Sequence, residues 1–351
     1  MIRIITVLIL AVTLISCGEK KDVSVQKPSS GGQLNGAGAT FPYPIYSKWF
    51  NEYAKINPEA KINYQSIGSG GGIKQITEGT VDFGATDSPM SNEEIEKADT
   101  KNNNKIIHFP TVIGSVVITY NIPGVDQSIN LSPEAIVGIY MGTVKKWNDP
   151  LIQKENADIK MPDKDIIVCY RTDGSGTTYV LTDYLGKVSD KWKSEIGVAK
   201  DVKFPVGQGG KGNEGVTGLV KQLDYSIGYV ELIYALQNKL KYANIKNKEG
   251  EYVSPSLESL TIAADQSLNE MPEDLRQSIT NAGGQGSYPI SSYTYLLIYE
   301  NQKDAYKGKI LKEFLVWALN DGEKFAKDLG YAPLPPTVVA KALEKVNKIK
   351  F

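Results

Sequence analysis

Ile166-Ile167-Val168-Cys169-Tyr170-Arg171-Thr172-Asp173-Gly174-Ser175-Gly176-Thr177 is the stretch from which the fold of this chain can be read. Its first five residues are an apolar run, the pattern of a buried strand. The next segment, Thr178 to Leu185, sets Val180, Leu181, Tyr184 and Leu185 on one face of a helix. The turn between them carries a guanidinium, glycines and hydroxyls. The first turn of a helix has unpaired N–H groups and a positive dipole end, and both attract anions. Glycine lets the backbone approach a ligand, and Arg171 offers a two-pronged donor that matches phosphate or carboxylate. A blander reading also fits the segment taken alone: Ser175 caps an ordinary helix while Arg171 and Asp173 form a surface pair.

The same strand-then-helix alternation runs outward in both directions. Ile45, Trp49, Phe50 and Tyr53 are spaced for one helix face, and Lys61–Gln65 alternates as a strand. Ile73, Ile76 and Thr77 open a helix, and Val81–Ala85 is a short strand. Val112–Tyr120 is a long apolar strand ending at the turn Asn121-Ile122-Pro123-Gly124. Strands are expected at Ser226–Val230 and Tyr295–Tyr299, and a helix over Lys309–Leu319. Short strands alternating with helices imply an α/β fold with mostly parallel sheets.

The N-terminus bears on the compartment. Arg3 precedes an apolar run from Ile4 to Ile15, short for a membrane span and of the length of a signal-peptide core. It ends in Leu14-Ile15-Ser16-Cys17, which resembles the lipobox of bacterial lipoproteins; lipidation at Cys17 is therefore expected. Residues Gly18 to about Gln33 are rich in Lys, Ser and Gly and read as a flexible tether. The expected divisions are a signal peptide at 1–16 and a tether at 17–32. About 320 residues remain, enough for two domains.

Composition narrows the function classes. The chain of 351 residues has 39 Lys and Arg against 40 Asp and Glu, a net charge of −1, which argues against a nucleic-acid partner. Cys17 and Cys169 are its only cysteines, and Cys169 lies inside the apolar strand, where a buried structural thiol is expected. His108 is the single histidine and reads as structural. No cofactor is expected, and a zinc site or a Ser-His-Asp triad has too few candidates.

Three further segments could join the Arg171 turn. Gly36-Ala37-Gly38-Ala39-Thr40-Phe41-Pro42-Tyr43-Pro44 feeds a helix, with Thr40 placed to cap it and Pro42 in its first turn. Gly68-Ser69-Gly70-Gly71-Gly72 precedes the Ile73 helix, with Ser69 as expected cap. Asp87 follows the Val81 strand and stands before Ser88-Pro89. It serves either as an Asx-turn residue or as a carboxylate in the site. None of these fits a Walker P-loop or a nucleophile elbow.

Together with Phe109-Pro110-Thr111-Val112-Ile113-Gly114, Gly209-Gly210-Lys211-Gly212-Asn213 and Ile227-Gly228-Tyr229-Val230, these segments resemble the substrate-binding proteins of phosphate ABC transporters, in that family's order along nearly the whole chain after the tether. The resemblance implies a two-lobed periplasmic-binding-protein fold of the class II type, with inorganic phosphate in the cleft and no enzymatic activity. It assigns phosphate contacts to Thr40, Phe41, Ser69, Asp87, Arg171, Ser175, Gly176 and Thr177, and makes Asp173 the support of Arg171. Asp87 would accept the proton of hydrogen phosphate, which fully ionised sulfate lacks. The implied partners are the permease subunits of a phosphate transporter, for a monomer held by lipid in the cell envelope, in the periplasm or on the outer surface. Lobe one is expected at 33–113 plus 289–351, lobe two at 114–288. The resemblance to family members departs at Gly70, where a second Ser is common, and at a polar insertion over Asp99–Lys105. The rivals are a binding protein for another oxyanion, a secreted phosphatase using Ser69 or Ser175, and a surface sensor or adhesion role.

Overall fold

The computed structural model describes residues 33–351, so the expected signal peptide, Cys17 and the expected tether lie outside the described residues. In chain order the first elements are β1 (Gln33–Gly38), α1 (Tyr43–Ile56), β2 (Lys61–Ser66), α2 (Ser69–Glu78), β3 (Phe83–Thr86), α3 (Asn92–Asn102) and β4 (Ile106–Asn121). There follow β5 (Asn130–Leu131), α4 (Pro133–Tyr140), α5 (Pro150–Gln153), β6 (Ile167–Arg171), α6 (Gly176–Val188), α7 (Asp190–Glu195), β7 (Gln208–Gly210), α8 (Gly212–Gln222) and β8 (Ser226–Glu231). The last are α9 (Leu232–Gln237), β9 (Lys241–Tyr242), β10 (Asn244–Lys246), β11 (Tyr252–Val253), α10 (Leu257–Gln266), β12 (Ser291–Tyr299), α11 (Ala305–Asn320) and α12 (Pro336–Val346).

The main sheet runs in the order β2-β1-β3-β12-β4-β8-β6-β7, with β9 also on β4. Its wings are parallel and its centre antiparallel. β4 joins the two wings. Ile106–Ser115 pairs with β12, and Val116–Asn121 pairs with β8. Almost every residue of β4 is buried, which is why its sequence is mostly apolar on both faces rather than alternating apolar with charged residues. Pro110 stands in this central strand, where it has no N–H to give to a ladder. The register with β12 shifts between Thr294 and Tyr295, leaving Thr111 without a partner across the ladder. The Thr111 hydroxyl instead donates to the Thr294 carbonyl.

Helices pack on the sheet through apolar faces. α1 buries Ile45, Tyr46, Trp49, Phe50 and Tyr53, and Trp49 donates its indole N–H to the Gly322 carbonyl. α6 buries Val180, Leu181, Tyr184 and Leu185. Ser91 and Glu94 close a capping box on α3. The polar segment Asp99–Lys105 forms the end of α3 and the turn into β4. Cys169 is free and buried, and burial pushes its thiol up to about 12. His108 is buried and its Nε2 accepts the Met90 N–H; burial, aided by nearby Arg276, holds it down at about 3.

Candidate anion-binding site

The C-terminal ends of β1, β3 and β6 open onto one buried cluster. From the first wing come Thr40 and Phe41 after β1, Ser69 at the start of α2, and Asp87 after β3. From the second come Arg171 at the end of β6, then Asp173, Ser175, Gly176 and Thr177. Thr40, Phe41, Ser69, Asp87, Arg171, Ser175 and Thr177 are each no more than 3% exposed. The two sides touch: the Gly70 N–H donates to the Gly174 carbonyl at 2.7 Å. A Cβ on Gly176 would collide with Ser69 Oγ and Asp87 Oδ2, so only glycine permits this approach.

Arg171 is locked in place. Its Nε donates to Asp173 Oδ1 at 2.8 Å and its Nη2 to Asp173 Oδ2 at 2.6 Å, while Nη1 donates to Thr177 Oγ1 at 3.2 Å. The pair is buried rather than superficial, with the arginine side chain 1% exposed. Burial alone would raise the Asp173 carboxyl, but the guanidinium and the Gly212 N–H outweigh it and hold it below the usual range. A buried cation on a fixed fork is an anion receptor whose geometry is set before the ligand arrives.

Two helix starts differ from the sequence reading. Thr40 does not cap α1: the chain turns through Pro42, which has no side-chain acceptor, and the Thr40 hydroxyl accepts from Asn213 instead. Ser69 does not cap α2 either. Gly68 occupies the cap position with a positive φ of 87°, and Ser69 is the first helical residue. Its Oγ is thereby free to accept the Asp87 N–H at 3.2 Å and to donate to Asp87 Oδ2 at 3.3 Å. Ser175 does cap α6, accepting from the Thr178 N–H at 3.0 Å.

The backbone donors are the most telling feature. Among the described residues, the N–H groups of Thr40, Phe41, Ser69, Gly176 and Thr177 have no protein acceptor. Buried N–H groups without partners are rare, and here several gather at one cluster. Three tyrosines aim the first two. Tyr64 donates to the Ala39 carbonyl at 2.8 Å, Tyr234 to Thr40 at 2.6 Å, and Tyr331 to Phe41 at 2.6 Å. Three successive carbonyls are thus fixed, which fixes the peptide planes and N–H directions between them. Burial raises all three phenols well above their usual value, so they stay protonated donors.

Asp87 faces this array of donors as the one acceptor. Its Oδ1 takes the Thr294 hydroxyl at 2.8 Å and its Oδ2 the Ser69 hydroxyl. Thr294 lies beside the register shift in β12, and such shifts re-aim side chains near sites. Burial pushes the Asp87 carboxyl up to about 7, against the Thr294 bond and the charge of Arg171. A carboxyl poised near neutrality can share a proton with a ligand that carries one.

Sequence reasoning missed the tyrosines, Thr294, Asn213 and Glu231. Asn213, wholly buried at the start of α8, bridges Thr40 and Thr177. Glu231 is also wholly buried; its Oε2 accepts the Ile233 N–H, and burial raises its carboxyl well above the usual range. Asn213 lies in the Gly209–Asn213 segment, whose glycines could have marked a helix start. Nothing local signals the tyrosines or Thr294, because their partners are distant in sequence, whereas Glu231 bonds within its own turn as the cap of α9.

Known proteins resemble this chain along most of its length. The sequence profile of the PBP superfamily domain matches residues 24–321. The chain is 45% identical over 309 residues to the phosphate-binding protein PstS of Pasteurella multocida, covering 88% of each. A high-affinity periplasmic phosphate-binding protein solved with bound phosphate superposes with a TM-score of 0.71 at 21% identity, covering 91% of this chain and 99% of that one. The phosphate-binding protein from Stenotrophomonas maltophilia superposes with a TM-score of 0.68 at 22% identity, over 89% and 93%. At such identities the two structures speak for the fold, which is that of two-lobed periplasmic binding proteins.

Proposed function

Because this chain belongs to the PBP superfamily and, within it, to the PstS phosphate-binding proteins, we propose that it binds inorganic phosphate between its two wings and delivers it to a membrane ABC transporter for import. The observation that carries this reading is the convergence of unpaired buried N–H groups and the fixed guanidinium of Arg171 on a site whose opposite wall is the carboxyl of Asp87. Thr40, Phe41, Ser69, Arg171, Ser175, Gly176 and Thr177 serve as donors. Asp87 accepts the proton of hydrogen phosphate, and Asp173 holds Arg171.

The wings act as lobes, 33–113 with 289–351 and 114–288, hinged where β4 changes partner from β12 to β8. Ligand that touches both sides favours the closed state by the difference in its affinity for the two states. The protein acts by binding rather than by catalysis. Among the described residues the base that bonds Ser69 is Asp87, which accepts the serine proton, and no histidine or lysine is hydrogen-bonded to the pair to relay it. The mature protein works as a monomer held at the cell envelope through a lipid on Cys17, whose replacement by Ala would release it into the soluble fraction.

Calorimetry on protein stripped of anion tests the reading. Phosphate is expected to bind in the micromolar range or tighter, and sulfate at least a hundredfold more weakly. Arg171→Ala is expected to weaken phosphate by a hundredfold or more, since it leaves Asp173 buried without its partner. Sulfate binding as tightly as phosphate would overturn it. Hydrolysis of a chromogenic phosphomonoester would favour the phosphatase instead.

A further inference from the structure

We propose that Asn213 is a positioning residue that fixes the polarity of the site: it occupies the accepting side of the Thr40 and Thr177 hydroxyls, so that both can only donate to the ligand. This rests on the phosphate-binding reading and adds to it a residue outside the proposed set of phosphate contacts, with no hydrogen bond to Arg171.

The argument begins with the orientation of the amide. The Glu231 backbone N–H, which can only donate, points at Asn213 Oδ1 at 3.1 Å. That sets the oxygen on one side and turns Nδ2 toward the threonines. Nδ2 donates to Thr40 Oγ1 at 2.8 Å and to Thr177 Oγ1 at 3.3 Å. The second acceptor site of each hydroxyl is also taken: on Thr40 by the Asn213 backbone N–H at 3.3 Å, on Thr177 by Arg171 Nη1 at 3.2 Å.

A hydroxyl has one proton to give and two lone pairs to fill. With both lone pairs engaged, each threonine has only its proton left. Among the described residues neither proton has an acceptor. The remaining partner is whatever occupies the site, and it must accept. Free hydroxyls rotate and serve donor or acceptor equally. These two are committed to an acceptor-rich ligand, an oxyanion. Asn213 belongs to α8 in the second wing and Thr40 to the first, so the commitment of Thr40 is completed only when the wings meet.

Phosphate titration calorimetry on the wild type, Asn213→Ala, Thr40→Val and the double variant tests this, with thermal unfolding to establish that each is folded. Wild-type binding checks the underlying reading separately, and its absence would remove that reading rather than this residue's role alone. Asn213→Ala is expected to lose about 10- to 100-fold in affinity. Because Asn213 acts through Thr40 and Thr177 together, the double variant is expected to lose less than the product of the two single losses, whereas a residue that merely packs would multiply them in full. Asn213→Asp, nearly isosteric but accepting when ionised, is expected to lose more than Asn213→Ala at pH 8 and, relative to the wild type at the same pH, to recover toward pH 5 as burial favours the protonated, donating carboxyl. Wild-type affinity in Asn213→Ala, or fully multiplicative losses in the double variant, would overturn the proposal.

Discussion

Asp87 shows how much a single side chain can depend on its surroundings. In a peptide its carboxyl is ionised at neutral pH; in the fold, burial pushes it up to about 7 despite two hydroxyl bonds and the nearby Arg171. A raised folded-state pKa means that the neutral form is favoured by folding. Its contribution to stability is complete below about pH 4 and is lost as pH rises through about 7. Asn mimics the neutral form at every pH, so anion-free Asp87→Asn is expected to gain stability over the wild type from pH 4 to pH 8, by about 4 kcal/mol at most. Denaturant melts across that range check it, and parallel curves would contradict it. The same variant is expected to bind sulfate and phosphate with similar affinities, which competition calorimetry reads directly. The sequence marked Asp87 and Arg171 as chemically interesting because charges beside glycine-rich turns are readable locally. It could not mark Asn213, Tyr64, Tyr234 or Tyr331, whose roles exist only through partners between 18 and 290 residues away.

At the scale of elements, the site is made of helix starts and strand ends. The turn from β6 into α6 brings Arg171, Ser175, Gly176 and Thr177 together within one short segment, which is why the sequence shows it plainly. The starts of α1 and α2 were less legible. Side-chain caps were expected at Thr40 and Ser69, but Pro42 and Gly68 take those positions and leave both hydroxyls for the site. A hydroxyl beside a helix start cannot be told from a cap without knowing what faces it. Gly176 offers the sharpest test at this scale. Alanine there favours the helix, yet its Cβ would strike Ser69 and Asp87 across the cleft. Gly176→Ala is therefore expected to keep or slightly raise thermal stability without ligand while losing phosphate affinity by at least a hundredfold. Loss of both together, measured by calorimetry and melting, would point to a folding defect instead.

Across the whole molecule, β4 is the element on which everything turns, since it pairs with β12 in one half and β8 in the other. Contacts beyond the site also cross between the halves. Lys200 pairs with Glu94 at 2.8 Å, and Arg276 donates to the Met90 carbonyl at 2.7 Å and to Asn92 Oδ1 at 2.9 Å. The Lys200 pair is partly exposed, so it is worth about 1 kcal/mol or less and is weakened by salt. Lys200→Ala is expected to speed phosphate release by up to about fivefold at low ionic strength, with little change at high salt; stopped-flow kinetics that show no change at low salt would remove it as a latch. What the sequence determined by itself was the alternation of strands and helices, the buried strand before Arg171 and the anion-attracting turn after it, because hydrophobic period and turn chemistry are local. Only the tertiary structure decided which turns face one another, that Pro110 and the shift beside Thr294 aim a hydroxyl at Asp87, and that Asn213 fills the lone pairs of two threonines. Those facts depend on burial and on contacts between distant segments, and a hydrogen bond between them has no signature in either segment alone.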